Sequence, residues 1–305
     1  MLLAVLTTCG CAATDTQIPE EKSISVNTQD IIPSATQEPE IPFEQQMWNY
    51  LMEQYENEYA AAALMGNSDY ESALCPYRTE GDKARTENGE YPFSMEYTQQ
   101  VDIGEIDRET FAVSGPKGGA YGLFAWTGSG RKKGLYDLAR QRSVSISDWK
   151  MQLDYAYTEI VERYHDLYYT LLTAESVDEA TELFGLDFEQ AENISYTLIR
   201  RKEIAQDYFN KYGSGSFSPK YSKGAIVPVN NSFDYLDKEL LPDTLNANVY
   251  VYIAQIVLQE KGYLNSTPCG FYGDEMTSAI KLLQRDNNIE EDGKLDAEVW
   301  TLLAD

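Results

Sequence analysis

The segment MGNSDYESALCP, residues 65–76, holds the side chain best placed for acid–base chemistry, Glu71. Leu64, Ser68 and Glu71 fall at i, i+4 and i+7 and share one face of a helix. The rest of that face is Ala, Leu and Ser. A carboxyl at the end of such a stripe is expected to be poorly solvated, the condition under which a carboxyl can protonate a leaving sugar oxygen. A second segment, GGAYGLFAWTGSG, is a Gly-rich turn flanked by Tyr121 and Trp126. Such a turn can bring backbone and ring faces against a ligand, and rings stack on sugar faces.

Composition narrows the other chemistries. The 305 residues include 50 acidic and 24 basic side chains, a net charge of −26. Nucleic-acid binding rests on phosphate neutralisation, so this balance argues against such a partner. There is one histidine, His165. An H-E-x-x-H zinc site needs two on one helix turn. A Ser-His-Asp or Cys-His nucleophile could use only His165, and VERYHDLYY carries no nucleophile motif. His165 reads as a surface or half-buried helix residue. Carboxylates remain as the hydrolytic groups, and no metal or organic cofactor is implied. Cys9, Cys11, Cys75 and Cys269 form neither a disulfide framework nor a C-x-x-C metal pair. Cys75 and Cys269 read as isolated small apolar residues.

These groups need elements to hold them. The start, MLLAVLTTCGCAATD, resembles the end of a bacterial lipoprotein signal over residues 1–13, with Cys9 and Cys11 as competing lipidation sites. The apolar run is too short to span a bilayer as a helix. Residues 14–42, rich in Gln, Glu, Thr, Ser and Pro, read as a disordered acidic tether. Residues 43–213 read as the first folded domain. Met47, Leu51 and Tyr55 recur at i, i+4 and i+8, the mark of an amphipathic helix. Residues 75–119 are loop-rich, and helical periodicity then returns up to Tyr212. Residues 214–246 read as a Gly/Ser/Pro/Asn linker, and 247–305 as a small second domain of helical runs. Arg131, Lys132, Lys133, Arg140 and Arg142 cluster, either as a solvated helix face or as a positive strip steering the protein onto anionic wall polymer.

Several segments of the first domain, taken in order, resemble the phage tail lysozyme family. They are MGN-x-x-x-ES-x-x-x-P at Met65–Pro76, YTQQVDIGEIDRETF at Tyr97–Phe111, and YGL-x-x-WT at Tyr121–Thr127. QLDY at Gln152–Tyr155, SVDEAT…DFEQ, and QDYFNKY at Gln206–Tyr212 follow. The resemblance implies a mainly α fold, an α+β lysozyme-like domain, with Glu71 as general acid. It implies that the Tyr121–Thr127 turn forms the opposite wall of a cleft. Gly122 would give backbone access, Tyr121 and Trp126 would shape saccharide subsites, and Ser72 and Thr127 would join the substrate contacts. The family usually has Gln before the Trp of this turn, and this chain has Ala125. A retaining glycosidase needs a second carboxyl about 5 Å from the acid, and an inverting one needs it at roughly 6.5–9.5 Å. Asp102, Glu105, Glu80 and Glu90 are candidates, with Asp102 preferred. A lytic transglycosylase of similar fold needs only one Glu, because the sugar's own 6-hydroxyl attacks.

The C-terminal segment resembles the three-helix peptidoglycan-binding domain. It carries Gln255, Gly262-Tyr263, Gly270-Phe271-Tyr272-Gly273, Ala279-Ile280, Gln284, Asp292-Gly293 and Trp300, with Leu283 where Phe is usual. Most of that motif reads as scaffold. Together the resemblances imply an extracytoplasmic bacterial enzyme, secreted or lipid-anchored, cutting the β-1,4 bond between N-acetylmuramic acid and N-acetylglucosamine. The alternatives are a lytic transglycosylase and a non-catalytic wall-binding lipoprotein. The family also occurs in phage tails and conjugative elements, so such machinery is a candidate partner beside peptidoglycan and a membrane anchor.

Overall fold

The computed structural model describes residues 41–80, 82, 85–113, 119–190, 194–242 and 246–305. Cys9, Cys11 and the tether reading for residues 14–40 lie outside them. Helix α1 (Phe43–Tyr55) buries Met47, Trp48, Leu51 and Tyr55, the stripe that the spacing predicts. Asn57 starts α2 (Glu58–Ser72): its Oδ1 accepts from the Tyr59 and Ala60 amides, and its Nδ2 donates to the Leu172 and Ala174 carbonyls. Residues Ala60 to Ser68 of α2 are all buried, so this helix is core on every side.

The long α9 (Ile194–Tyr212) lies along α2. They are in tight contact at Gly66, where an added Cβ would sit 2.6 Å from Ala205 Cβ and 2.7 Å from its backbone. Helix α8 (Val177–Leu183), capped by Ser176, also packs on α2 and runs into a π-helical turn, Phe184–Phe188. Helices α3 (Pro92–Asp102), α4 (Arg108–Val113), α5 (Ser129–Arg142), α6 (Trp149–Arg163) and α7 (His165–Thr173) complete the domain. The run through VERYHDLYY breaks at Tyr164, whose backbone is not helical.

Two readings are corrected here. Among the described residues there is no strand, only isolated bridges such as Thr79 to Tyr121 and Tyr121 to Trp126. The Gly- and Pro-punctuated loops give single pairs and no alternating run long enough for a ladder, so the α+β expectation is unmet there. The described residues of 214–246, read as a linker, pack against the folded parts of the chain. Val227, Val229 and Tyr235 are buried, and the Tyr168 hydroxyl donates to the Pro228 carbonyl at 2.6 Å. The Tyr235 ring packs on Tyr250 and Trp300 with centroids 4.8 and 5.0 Å away. Scattered apolar residues among turn formers hid this packing.

The C-terminal domain holds α10 (Val249–Glu260), α11 (Asp274–Asp286) and α12 (Ala297–Ala304). Its two motif glutamines are buried brackets. Gln255 Oε1 accepts from the Cys269 and Gly270 amides. Gln284 Oε1 accepts from the Gly293 amide, and its Nε2 donates to Asp292. Leu283 is buried where Phe is usual. Helix α10 rests on α7, and the Tyr252 hydroxyl donates to Asp166 at 2.8 Å. His165 is buried beside Gly270 in this contact, deeper than the sequence suggests, and burial lowers its pKa. Cys75 and Cys269 are both free.

Gly66→Ala tests the helix contact. Its gain in helix propensity is about 1 kcal/mol, against about 1–3 kcal/mol for overpacking with backbone on the far side. Thermal unfolding is expected to show a lower Tm, and a raised Tm would show that the two helices can part without cost.

Candidate active site

The last turn of α2 carries Glu71, and α9 brings Arg201 to meet it. Arg201 is 1% exposed. Its Nη2 donates to Glu71 Oε1, its Nη1 donates to Asn67 Oδ1 at 2.9 Å, and its guanidinium lies over the Tyr70 ring at 4.3 Å. Asn67 is held in turn by its Nδ2, which donates to the Ala63 carbonyl. The Glu71 side chain keeps 22% exposure. The predicted stripe is present, since Leu64 and Ser68 are buried below Glu71. Its apolar character ends at the guanidinium, which no pattern within α2 could announce.

Glu71 opens into a cavity of about 620 Å³. The loop after α2 adds Arg78, Thr79 and Glu80 to the lining, and the glycine turn adds Ala120, Gly122, Ala125 and Thr127. The end of the π-helical turn adds Glu189 and Gln190. Arg78 is steadied by Tyr91, which accepts from its Nη1 at 2.7 Å and lies 4.3 Å below its guanidinium.

The glycine turn is fixed from behind. Gln152 on α6 accepts from the Leu123 amide at 2.9 Å and donates to the Pro76 and Ile146 carbonyls. An added Cβ on Gly122 would lie 2.8 Å from Gln152 Oε1, and Gly122 has φ +81°. Only glycine fits there without strain. Ser72 Oγ donates to the Ser68 and Leu123 carbonyls, joining α2 to the turn.

Several expected ligand contacts are corrected by burial. Tyr121 and Trp126 are both 0% exposed. The Tyr121 hydroxyl is hydrogen-bonded to Thr98, and Trp126 Nε1 donates to Glu159 at 2.8 Å. Their rings pack the core beneath the turn, and the turn's backbone, Ala125 and Thr127 face the cavity. Ser72 is also fully buried and acts as a tie. Gly122 and Thr127 do line the cavity. Asp102 is elsewhere. It accepts from Ser145 Oγ at 2.5 Å and from the Ile146 amide at 2.8 Å, capping the loop before α6. Among the other carboxylate candidates, Glu80 lines the cavity, and Glu90 and Glu105 do not.

The basic cluster is no free strip. Arg131 pairs with Glu159, Lys133 with Glu109, and Arg142 with Asp154. Arg140 donates to the Val101 and Asp102 carbonyls. Lys132 is buried, donates to the Gly119 carbonyl, and is pushed down to about 8 by desolvation. Among the described residues no group of three or more His, Cys, Asp or Glu side chains could hold a metal ion.

Three residues matter more than sequence reasoning allowed. Arg201 has an identical neighbour, Arg200, and only the helix phase set by Gly66 and Ala205 separates them. Gln152 and Glu189 sit in the quoted QLDY and DFEQ segments, with nothing in their types to mark a role. Glu189 Oε1 is buried without a hydrogen-bond partner. Burial holds the Glu189 carboxyl well above its ordinary value, and the nearby Glu71 adds to this. Arg201 and Arg131 oppose it, and Glu159 raises it slightly further. A carboxyl raised in the folded state contributes stability at acid pH that is lost as pH climbs through that raised value.

Arg201→Met should expose the weight of the buried pair. Removing one partner of a buried pair costs about 3–5 kcal/mol, and the partial exposure of Glu71 reduces this to about 2–3 kcal/mol. Urea unfolding is expected to show that loss, and an unchanged midpoint would mean that the pair does not hold α2 to α9.

Residues 43–212 match the family model described as phage tail lysozyme. Residues 249–303 match that of a peptidoglycan-binding domain. No curated protein and no solved structure matches the chain. The first match spans more than half of the chain and contains the whole of the cavity described above. With this match covering the domain that holds Glu71 and its cavity, the chain belongs to the phage tail lysozyme family.

Proposed function

We propose that the protein cleaves the β-1,4 bond between N-acetylmuramic acid and N-acetylglucosamine of peptidoglycan, with Glu71 as general acid. The observation that carries this reading is the placement of Glu71. It stands in the last turn of a helix that is buried from Ala60 to Ser68, and it is held by a buried arginine. It opens on a polar cavity whose other wall is a glycine turn tied down by Gln152. Binding energy is useful for catalysis when the groups facing the substrate are already positioned. The C-terminal domain would keep the enzyme on the wall, raising the local concentration of glycan near the cavity.

The substrate lies outside the cytoplasmic membrane, so the site of action is extracytoplasmic. No helix among the described residues is long and apolar enough to cross a membrane. Lipidation at Cys9 or Cys11 would supply the anchor, with the following segment as a tether. A phage tail or conjugation apparatus is the kind of machine that such an anchored enzyme would serve.

Asp102 has no place in the cavity, and this favours a second reading, a lytic transglycosylase. Product mass separates the two, because a 1,6-anhydro end lacks one water. The full chain and its Glu71→Gln variant, checked for a native near-ultraviolet spectrum, are incubated with purified peptidoglycan. Muropeptides released by the wild type and absent with Glu71→Gln are expected. Equal release by both would remove Glu71 from the chemistry. No release by either would leave a wall-binding protein.

Ala125 has φ +47° and lines the cavity, so a longer side chain there would reach into it. Ala125→Gln is expected to raise muropeptide release several-fold. Unchanged release would show that the missing amide is not needed.

A further inference from the structure

We propose that Glu189 is the second carboxyl of the centre, and that Glu71 and Glu189 work as a pair holding one proton between them. The inference rests on the glycosidase reading above, and it gives Glu189 a place beside the acid rather than the nucleophile or base role considered for Asp102.

Position comes first. Glu189 follows the π-helical turn Phe184–Phe188, and its amide donates to the Phe184 carbonyl at 3.2 Å. Single π-turns often mark functional sites, because they re-aim the side chains that follow. Here the turn is clamped by Arg131, which donates to the Phe188 carbonyl and lies 4.4 Å from the Phe188 ring. Glu189 is thereby delivered to the same cavity as Glu71.

Its bonding comes second. Glu189 Oε1 is sealed from solvent and has no partner, and Arg201 Nε is likewise buried and unpaired. A buried polar group without a partner is costly, and a residue kept only for packing would not need a carboxyl there. The charged groups that act most on Glu189 come from four helices, Glu71 on α2, Arg201 on α9, Arg131 on α5 and Glu159 on α6, and Arg78 and Glu80 line the same cavity. Arg131 and Glu159 already satisfy each other. Arg201 is the guanidinium paired with Glu71. Among the described residues, then, the carboxyls Glu71, Glu80 and Glu189 outnumber the guanidiniums Arg201 and Arg78, a balance that suits one proton on the pair.

The chemistry balances on that proton. The pair gives it to the glycosidic oxygen through Glu71 as the C1–O bond breaks and the bonding electrons leave with that oxygen. Water, or the sugar's own 6-hydroxyl, then adds to C1 and returns its O–H proton to the pair. In the interval both carboxyls are charged, beside the guanidinium of Arg201. Glu189 acts through Glu71 and is a positioning residue, so its signature is the pH profile.

The test is kcat/KM for muropeptide release by the full chain against pH, for wild type and Glu189→Gln. In Glu189→Gln the proton must sit on Glu71 alone, next to Arg201. The alkaline limb is expected to move to lower pH by about one unit or more, with the acid-side rate largely kept. A limb that stays in place, whatever the rate, would overturn the proposal. Carboxyl ¹³C NMR of the full chain with labelled glutamate reads the pair without turnover. The resonance lost in Glu189→Gln is expected to titrate above the ordinary carboxylate range and to move down in Glu71→Gln. A resonance indifferent to Glu71→Gln would overturn the pairing. A wild type that releases no muropeptide would overturn the glycosidase reading and leave the pairing to the NMR result.

Discussion

The close approach of α2 and α9 at Gly66 and Ala205 is the constraint on which the site depends. The Gly66 backbone meets Ala205 there, with only the Ala205 methyl at the contact. One turn further along, the same approach brings the Arg201 guanidinium under Asn67, Glu71 and the Tyr70 ring. A buried arginine is tolerated only where charge and hydrogen bonds are supplied on several sides. Glu71 is therefore a structural partner and a cavity-lining residue at once. This explains how a side chain at a helix end, ordinarily free to swing in water, is held in one place.

The rest of the domain fixes the opposite wall. Gln152 and Glu159, both on α6 and both buried, hold the glycine turn through the Leu123 amide and the Trp126 indole. The aromatic residues of the turn point inward, so its outer face is backbone and small side chains. On the proposed glycosidase reading, such a wall would meet a sugar by hydrogen bonds and shape more than by ring stacking. The cavity is accordingly polar, with Arg78, Glu80 and Glu189 around Glu71. The C-terminal domain packs on α7 through Tyr252, Asp166 and the buried His165, away from any of these groups.

Much of this was readable from residue order. The amphipathic spacing of α1 and the stripe of Leu64, Ser68 and Glu71 on α2 follow from local rules, whereas the place of Gly122 and the scaffold reading of the C-terminal motif come from the family resemblances. The misreadings share one physical cause: they concern partners distant in sequence. Arg201 lies 130 residues from Glu71, and no periodicity within α2 indicates a guanidinium. Tyr121 and Trp126 have types that suit either a sugar face or a core, and only the buried Thr98 and Glu159 decide for the core. Asp102 looked like a free loop carboxylate because its acceptors' partners, Ser145 and the Ile146 amide, come more than forty residues later. Residues 214–246 have linker composition, yet a few apolar side chains among them find a surface to cover.

The account stands most directly on where the glycan lies. A crystal structure of Glu71→Gln with a bound tetrasaccharide of alternating N-acetylglucosamine and N-acetylmuramic acid would decide it. The account predicts the scissile oxygen within hydrogen-bond reach of residue 71, the sugars against Gly122 and Thr127, and the Glu189 carboxyl beside the same sugar. A glycan seated away from residue 71, or one that leaves Glu189 on the far side of Arg201, would contradict it.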